Sequence, residues 1–298
     1  MTAPVCCFCG GTSLTCVGRG LFHPLKRDHG PFDFYRCATC GSGTTPEPPT
    51  PKQLADLYGS FREGLPELHR TLTADDPQIS WYRQCVNRAS ALMGKPSPSA
   101  FRWIDVGAGG GELSAMMSER FPQSRGIAID LHPRPASLRD LDRVDWRQSD
   151  LNGDFSADLP PADLVISTAV WEHVLRPDRF AAELLKLTSD AGMIYLLCPN
   201  YDSPARRVMG SRWPYFTPGE HLHLPTPEGA RRCLEREARQ RDSIIVSRPI
   251  LLPYSLRYVL RRFGLERLGR LVPMAVRFPM PVGALETTVR IARRGTAS

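Results

Sequence analysis

The chain has 298 residues, 42% hydrophobic and 23% charged, a globular composition that excludes collagen-like and wholly disordered proteins. Its formal net charge of +7 is concentrated at one end: from Leu251 onward nine Arg stand against two acids, and residues 1–250 are formally neutral. No apolar run approaches the ~20 residues of a membrane span, and Met1–Gly10 lacks the cationic start and apolar stretch of a secretory signal, so a cytoplasmic chain with reduced thiols is expected.

Six of the nine cysteines fall in the first forty residues. Cys6-Cys7-Phe8-Cys9-Gly10 and Cys37-Ala38-Thr39-Cys40-Gly41 are two C-x-x-C-G knuckles. Two thiolates at this spacing share one ion, and two knuckles complete a tetrahedral sulfur site, so Cys6, Cys9, Cys37 and Cys40 are expected to hold a structural zinc ion. Cys7 and Cys16 are spare, although Cys16 can stand in for a ligand. Phe32–Arg36 alternates like a strand entering the second knuckle. The expected ribbon spans residues 1–45.

Residues 46–98 read as a Pro-rich joint (Pro46, Pro48, Pro49, Pro51) followed by helical cover. Helices are expected over 52–61 and 81–93. From residue 99 the pattern alternates strand and helix, with strands at 101–106, 125–130, 163–168 and 192–198 and helices at 111–120 and 177–188. Such alternation predicts an α/β fold with a doubly wound, mostly parallel sheet, and a ligand beyond the carboxyl ends of its strands.

The first of these strands ends Asp105-Val-Gly107-Ala-Gly109-Gly-Gly111-Glu112. A dinucleotide fingerprint starting at Gly107 needs glycine at 112, where this chain has Glu. Asp105, directly before the turn, would repel a pyrophosphate and suits a cationic ligand. The Asp-x-Gly-x-Gly-x-Gly pattern resembles motif I of class I S-adenosylmethionine-dependent methyltransferases, whose seven-stranded Rossmann-like sheet covers about 81–294 here. The resemblance implies that Asp105, Gly107, Gly109 and Gly111 hold the methionyl and ribose parts of the cofactor. Asp130, ending the second strand, would accept both ribose hydroxyls, and Leu131 would pack on adenine. Asp150 and Leu151 look like the pair that meets the adenine ring, and Ser167, in the fourth strand, is expected among the cofactor-binding residues. Thr287–Arg293 would be the antiparallel seventh strand.

Candidate bases lie in two loops at the same sheet edge: Glu172-His173, and Tyr215-Phe216-Thr-Pro-Gly-Glu220-His221-Leu-His223. His221 is the first choice and His173 the second, because imidazole titrates near neutrality and a neighbouring acid can orient it. Tyr215, Glu220 and His221 resemble the proton-transfer cluster of deoxysugar C-methyltransferases, although this chain lacks their large C-terminal domain. His223, two residues on, faces away from His221 and reads as packing. Trp213, Tyr215 and Phe216 either wall an acceptor pocket or cover the core. Thr226 and Pro227 start a helix.

Ser255–Val272, within an expected insertion at 251–285, reads as a basic amphipathic helix weakened by Gly264 and Gly269, with Pro273, Pro279 and Pro281 breaking the chain after it. Peripheral contact with an anionic membrane, a clamp on a phosphorylated acceptor, and a plain lid all fit it. The expected activity is methyl transfer to a small-molecule acceptor such as a secondary metabolite, sugar or nucleotide sugar. The alternatives are an RNA or protein methyltransferase that grips a polymer with its ribbon and tail, and a non-catalytic binder. The neutral cofactor region argues against nucleic acid.

Overall fold

The computed structural model describes residues 5–21, 31–50, 52–54, 77–94, 101–257, 260, 265–273 and 276–292. Its centre is a seven-stranded sheet in the order β10-β11-β8-β7-β4-β5-β6. The parallel strands are β4 (Arg102–Val106), β5 (Arg125–Asp130), β6 (Val144–Gln148), β7 (Ala162–Thr168) and β8 (Thr188–Pro199). β4, β5, β7 and the second half of β8 are apolar and largely buried, as strands covered on both faces must be, whereas the edge strand β6 is polar and mostly exposed. Strand β11 (Arg277–Ile291) runs antiparallel between β8 and the edge strand β10 (Ser243–Ser255).

Helices α1 (Pro77–Met93) and α2 (Glu112–Arg120) cover one face through Val86, Ala89, Leu113 and Met117; α3 (Pro177–Leu187) and α5 (Pro227–Glu237) cover the other through Phe180, Leu184, Ala230 and Leu234. Helix α5 starts as expected, with Thr226 accepting from the Gly229 N–H at 3.0 Å and Pro227 next in line. Helix α1 is bound to the sheet by charge. Buried Glu286 of β11 accepts from Arg88 Nη2 at 2.6 Å, from the Tyr195 hydroxyl at 2.9 Å and from Arg248 Nε at 3.0 Å.

The N-terminal residues form a second, four-stranded sheet in the order β1 (Leu14–Leu21), β2 (Pro31–Cys37), β3 (Gly43–Thr44), β9 (His223–Leu224). Its last strand comes from the far side of the catalytic-type domain. The ribbon expected to end at residue 45 is therefore completed by residues that follow His221 directly.

Two expectations at the C-terminal end require correction. The seventh strand begins at Arg277, ten residues earlier than expected, and carries Pro279 and Pro281 within it. Its partner β10 was absent from the pattern reading. Pro253 and Pro279 face one another across the ladder, so the missing N–H groups fall at one rung, on the edge strand and its neighbour. Among the described residues the segment expected as one helix over 255–272 is helical in two places: Ser255 still pairs with Arg277 as strand, Leu256, Arg257 and Leu260 are helical, Leu265 is not, and Glu266–Gly269 form the four-residue α6. Arg261 and Arg262, and most of the helix expected over 52–61, lie outside the described residues; 52–54 are helical.

Candidate cofactor and acceptor site

Asp105 sits at the carboxyl end of β4, and the chain then turns through Gly107, Gly109 and Gly111 with φ of +82°, +53° and +81°. Side chains rarely adopt this backbone, and a Cβ on Gly107 would stand 2.1 Å from Val170 Cγ2. The turn is tied to β5: Gly107 and Ala108 donate to the Ile129 carbonyl at 2.8 and 3.0 Å, and Gly109 donates to Asp130 Oδ2 at 2.8 Å. The His132 N–H holds Oδ1 at 3.0 Å. Each Asp130 oxygen keeps a lone pair for a ribose hydroxyl.

Asp105 is 1% exposed and accepts from the Ser114 hydroxyl at 2.6 Å. Burial pushes its carboxyl up to about 7 against the pull of Ser114, with Asp130 adding repulsion. Leu131 is exposed beside Asp130, as an adenine platform needs to be. Asp150 is exposed and accepts from the Asn152 N–H at 2.9 Å, with Leu151 half-buried next to it. Ser167 departs from its expected role: its buried hydroxyl donates to the Val106 carbonyl at 2.8 Å, stapling β7 to β4.

The second half of the site lies past β7 and β8. Buried Glu172 has no hydrogen-bond partner on Oε2 among the described residues. His173 Nδ1 donates to the Glu220 carbonyl at 3.0 Å, and His221 Nδ1 donates to the Tyr215 carbonyl at 2.7 Å. A carbonyl only accepts, so each ring carries its proton on Nδ1 and keeps Nε2 as a lone pair. The two rings are 4.7 Å apart, and one nitrogen of each lies with a Glu172 carboxylate oxygen in a set no wider than 4.8 Å. Burial pushes Glu172 up to about 8; burial, with the neighbouring His221, takes His173 down to about 4.

All four expected acceptor-side residues thus converge, but Glu220 and Tyr215 hold the histidines through main-chain carbonyls, and the carboxylate at the centre is Glu172. The Tyr215 hydroxyl bonds that of Tyr254 at 2.8 Å. A cavity beside this group is lined by Trp81, Tyr82, Glu172, Tyr215, Leu252 and Gly283. Trp213 and Phe216 are core, packed in one cluster with Phe34. Trp81 and Tyr82 escaped sequence reasoning because they belong to the apolar stripe of α1, which also reads as core.

The four ribbon cysteines meet as expected. The Cys6–Cys40 and Cys9–Cys37 sulfurs are 3.7 and 3.6 Å apart, and all four lie within 4.8 Å of one another. Bonds of ~2.3 Å in a tetrahedron set sulfurs ~3.7 Å apart, so the cluster fits one zinc ion. Gly10 and Gly41 both have φ of +74°, and each donates its N–H to the first cysteine carbonyl of its own knuckle, at 2.8 and 2.9 Å. His223 packs here, as expected, with Nδ1 2.8 Å from the Thr44 hydroxyl and Nε2 3.3 Å from the Leu175 carbonyl.

A central parallel sheet with one antiparallel strand, a glycine turn after its first strand and an acid ending its second define a class I methyltransferase fold. A family model described as "Methyltransferase domain" matches residues 68–237, more than half the chain, and the chain belongs to that family. It is 29% identical over 166 residues to a trans-aconitate 2-methyltransferase of Azoarcus sp. (strain BH72), covering 53% of this chain and 65% of that relative's length. Two solved structures share the fold. The [4+2]-cyclase SpnF has a TM-score of 0.52 at 18% identity, covering 83% of this chain and 98% of that one. The plantazolicin methyltransferase BpumL, solved with a pentazolic substrate analogue and S-adenosylhomocysteine, has a TM-score of 0.50 at 16% identity, covering 82% and 91%. Among the described residues no helix is long and apolar enough to cross a membrane.

Proposed function

We propose that this protein transfers a methyl group from S-adenosylmethionine to a small-molecule acceptor. The observation that carries the reading is the joining of the glycine turn to Asp130 through the Gly109 N–H, at the same sheet edge as the Glu172–His173–His221 cluster. When bound, the cofactor supplies an electrophilic methyl on a sulfonium. Asp130 would hold the ribose, Asp105 the cationic methionyl part, and Leu131, Asp150 and Leu151 the adenine. The chain's contribution to rate is then mainly orientation.

On the acceptor side, Trp81, Tyr82 and Tyr215 would wall the pocket, and Nε2 of His221 would take the acceptor's proton, with His173 beside it. The Tyr215 and Glu220 carbonyls hold the two Nδ1 protons and so leave both Nε2 atoms as lone pairs. The curated relative's name supports a small acceptor. The exposed Arg257, Arg267 and Arg270 between β10 and β11 suit a phosphorylated acceptor or an anionic surface. The ribbon cysteines would hold a structural zinc ion. Incubation with methyl-labelled cofactor and fractionated metabolite, sugar-nucleotide and RNA pools tests the reading. Label in small molecules is expected; label confined to RNA or protein contradicts it.

A further inference from the structure

Three side chains that can each offer an electron pair converge beside the cavity. Both imidazole Nδ1 atoms are committed to carbonyls, so the nitrogen that His173 and His221 have left is a lone pair. Glu172, 1% exposed, adds an unpartnered Oε2. Lone pairs that face one another in a largely buried site repel, and either a proton on Glu172 or a cation held among the three groups relieves this. Two imidazoles and one carboxylate form a ligand set for divalent transition ions, and ligand histidines typically donate their other ring N–H to a backbone carbonyl, as both do here. We propose that Glu172, His173 and His221 form a second metal site, separate from the cysteine cluster, that takes a divalent transition ion such as zinc or iron(II).

The proposal rests on the acceptor-side reading above and changes how the acceptor loses its proton. The ligand atoms lie within 4.8 Å of one another. Ligands ~2.1 Å from one ion stand ~3–3.5 Å apart, so the set closes by about an ångström of side-chain movement. Glu172 also lines the cavity with Tyr82 and Tyr215, which places an acceptor in that cavity beside the site. An acceptor hydroxyl bound there ionises near neutrality, its proton passing to solvent and its oxygen lone pair staying on the ion until it attacks the methyl carbon. The ion and a proton compete for the same histidine lone pairs, so one occupant excludes the other.

Cobalt(II) titration of the full chain, with the ribbon ion in place and neither cofactor nor acceptor present, tests the site. One further equivalent is expected, with weak visible d–d absorption and no thiolate-to-cobalt charge-transfer band. Glu172→Gln and His221→Asn should each weaken its binding at least tenfold with unchanged near-ultraviolet circular dichroism, and His173→Gln serves if either fails to fold. Absence of such absorption in the parent overturns the proposal. So does cobalt that enters only with a thiolate band, or binding unaltered in all folded variants. Methyl transfer is not read in this experiment, so failure of the metal site is distinguishable from failure of the methyltransferase reading.

Discussion

The backbone N–H of His223 donates to the carbonyl oxygen of Glu172 at 3.2 Å, joining the two loops that frame the acceptor side. The same His223 belongs to β9, the last strand of the ribbon sheet. The ribbon grips both loops elsewhere as well: Phe8 packs edge-on to Trp171 at 5.5 Å, and the Thr45 hydroxyl donates to the Pro218 carbonyl at 2.8 Å. Helix α5 is held in turn by Thr226, whose hydroxyl donates to the Cys40 carbonyl at 2.6 Å. Among the described residues the glycine turn and Asp130 have no such link. Metal in a small ribbon supplies much of its folding free energy. Cys37→Ser, or chelation of the ion, should therefore abolish methyl transfer while cofactor affinity stays within a few-fold of the parent. Equal loss of both, measured by calorimetry and by transfer of labelled methyl, would show that the ribbon supports the whole fold instead.

Asp105 predicts a pH dependence. Its folded-state carboxyl lies at about 7 against an ordinary 3.8, because burial disfavours the charge. The folded protein therefore keeps a proton that the unfolded chain loses, and this group's contribution to stability falls as pH rises from about 4 to about 7, by roughly 4 kcal/mol in all. A cationic ligand favours the ionised form. Cofactor affinity should rise with pH across about 7, and Asp105→Asn should flatten that rise. Calorimetry at pH 6 and pH 8 on both proteins reads it.

When no ion occupies the Glu172–His173–His221 group, His221 takes the acceptor's proton in the proposed reaction. His221→Ala is expected to lower kcat by about 10²–10⁴-fold with cofactor affinity unchanged, the span usual for loss of a positioned acid–base group. A variant with full kcat would remove His221 from the chemistry.

Glu286 holds α1, and with it Trp81 and Tyr82 of the cavity wall. Burial alone would raise its carboxyl, but the hydrogen bonds from Arg88, Tyr195 and Arg248 outweigh burial and lower it. Its contribution is present above the ordinary carboxyl range and is lost as pH falls through the lowered folded-state value. Glu286→Gln should cost about 1–3 kcal/mol and raise KM for the acceptor more than it lowers cofactor affinity. Thermal unfolding with steady-state kinetics would check both.

The parts legible in sequence were those set by local backbone chemistry. The knuckles could be read because thiolate spacing and the following glycine are local demands, and the Asp105–Gly111 turn because only glycine tolerates its left-handed backbone. Whereas the antiparallel end of β11 is legible at 287–291, strand β10 and the first ten residues of β11 are hidden for the opposite reason. Their prolines, Pro249, Pro253, Pro279 and Pro281, read as breakers until the ladder sets Pro253 against Pro279. Ile244 and Val246 also face solvent on this edge strand, so the hydrophobic alternation does not mark the buried face. Glu172 was seen only as part of a loop, since its burial depends on residues fifty positions away. Ser167 looked like a ligand because a hydroxyl gives no sign, in sequence, of the carbonyl it will meet.

Calorimetric titration of S-adenosylmethionine into the parent, Asp105→Ala and Asp130→Ala proteins tests the central claim most directly. The parent should bind one equivalent, and each variant should bind at least tenfold more weakly with its fold intact by circular dichroism. A parent that does not bind, or two folded variants that bind as tightly as the parent, would contradict it.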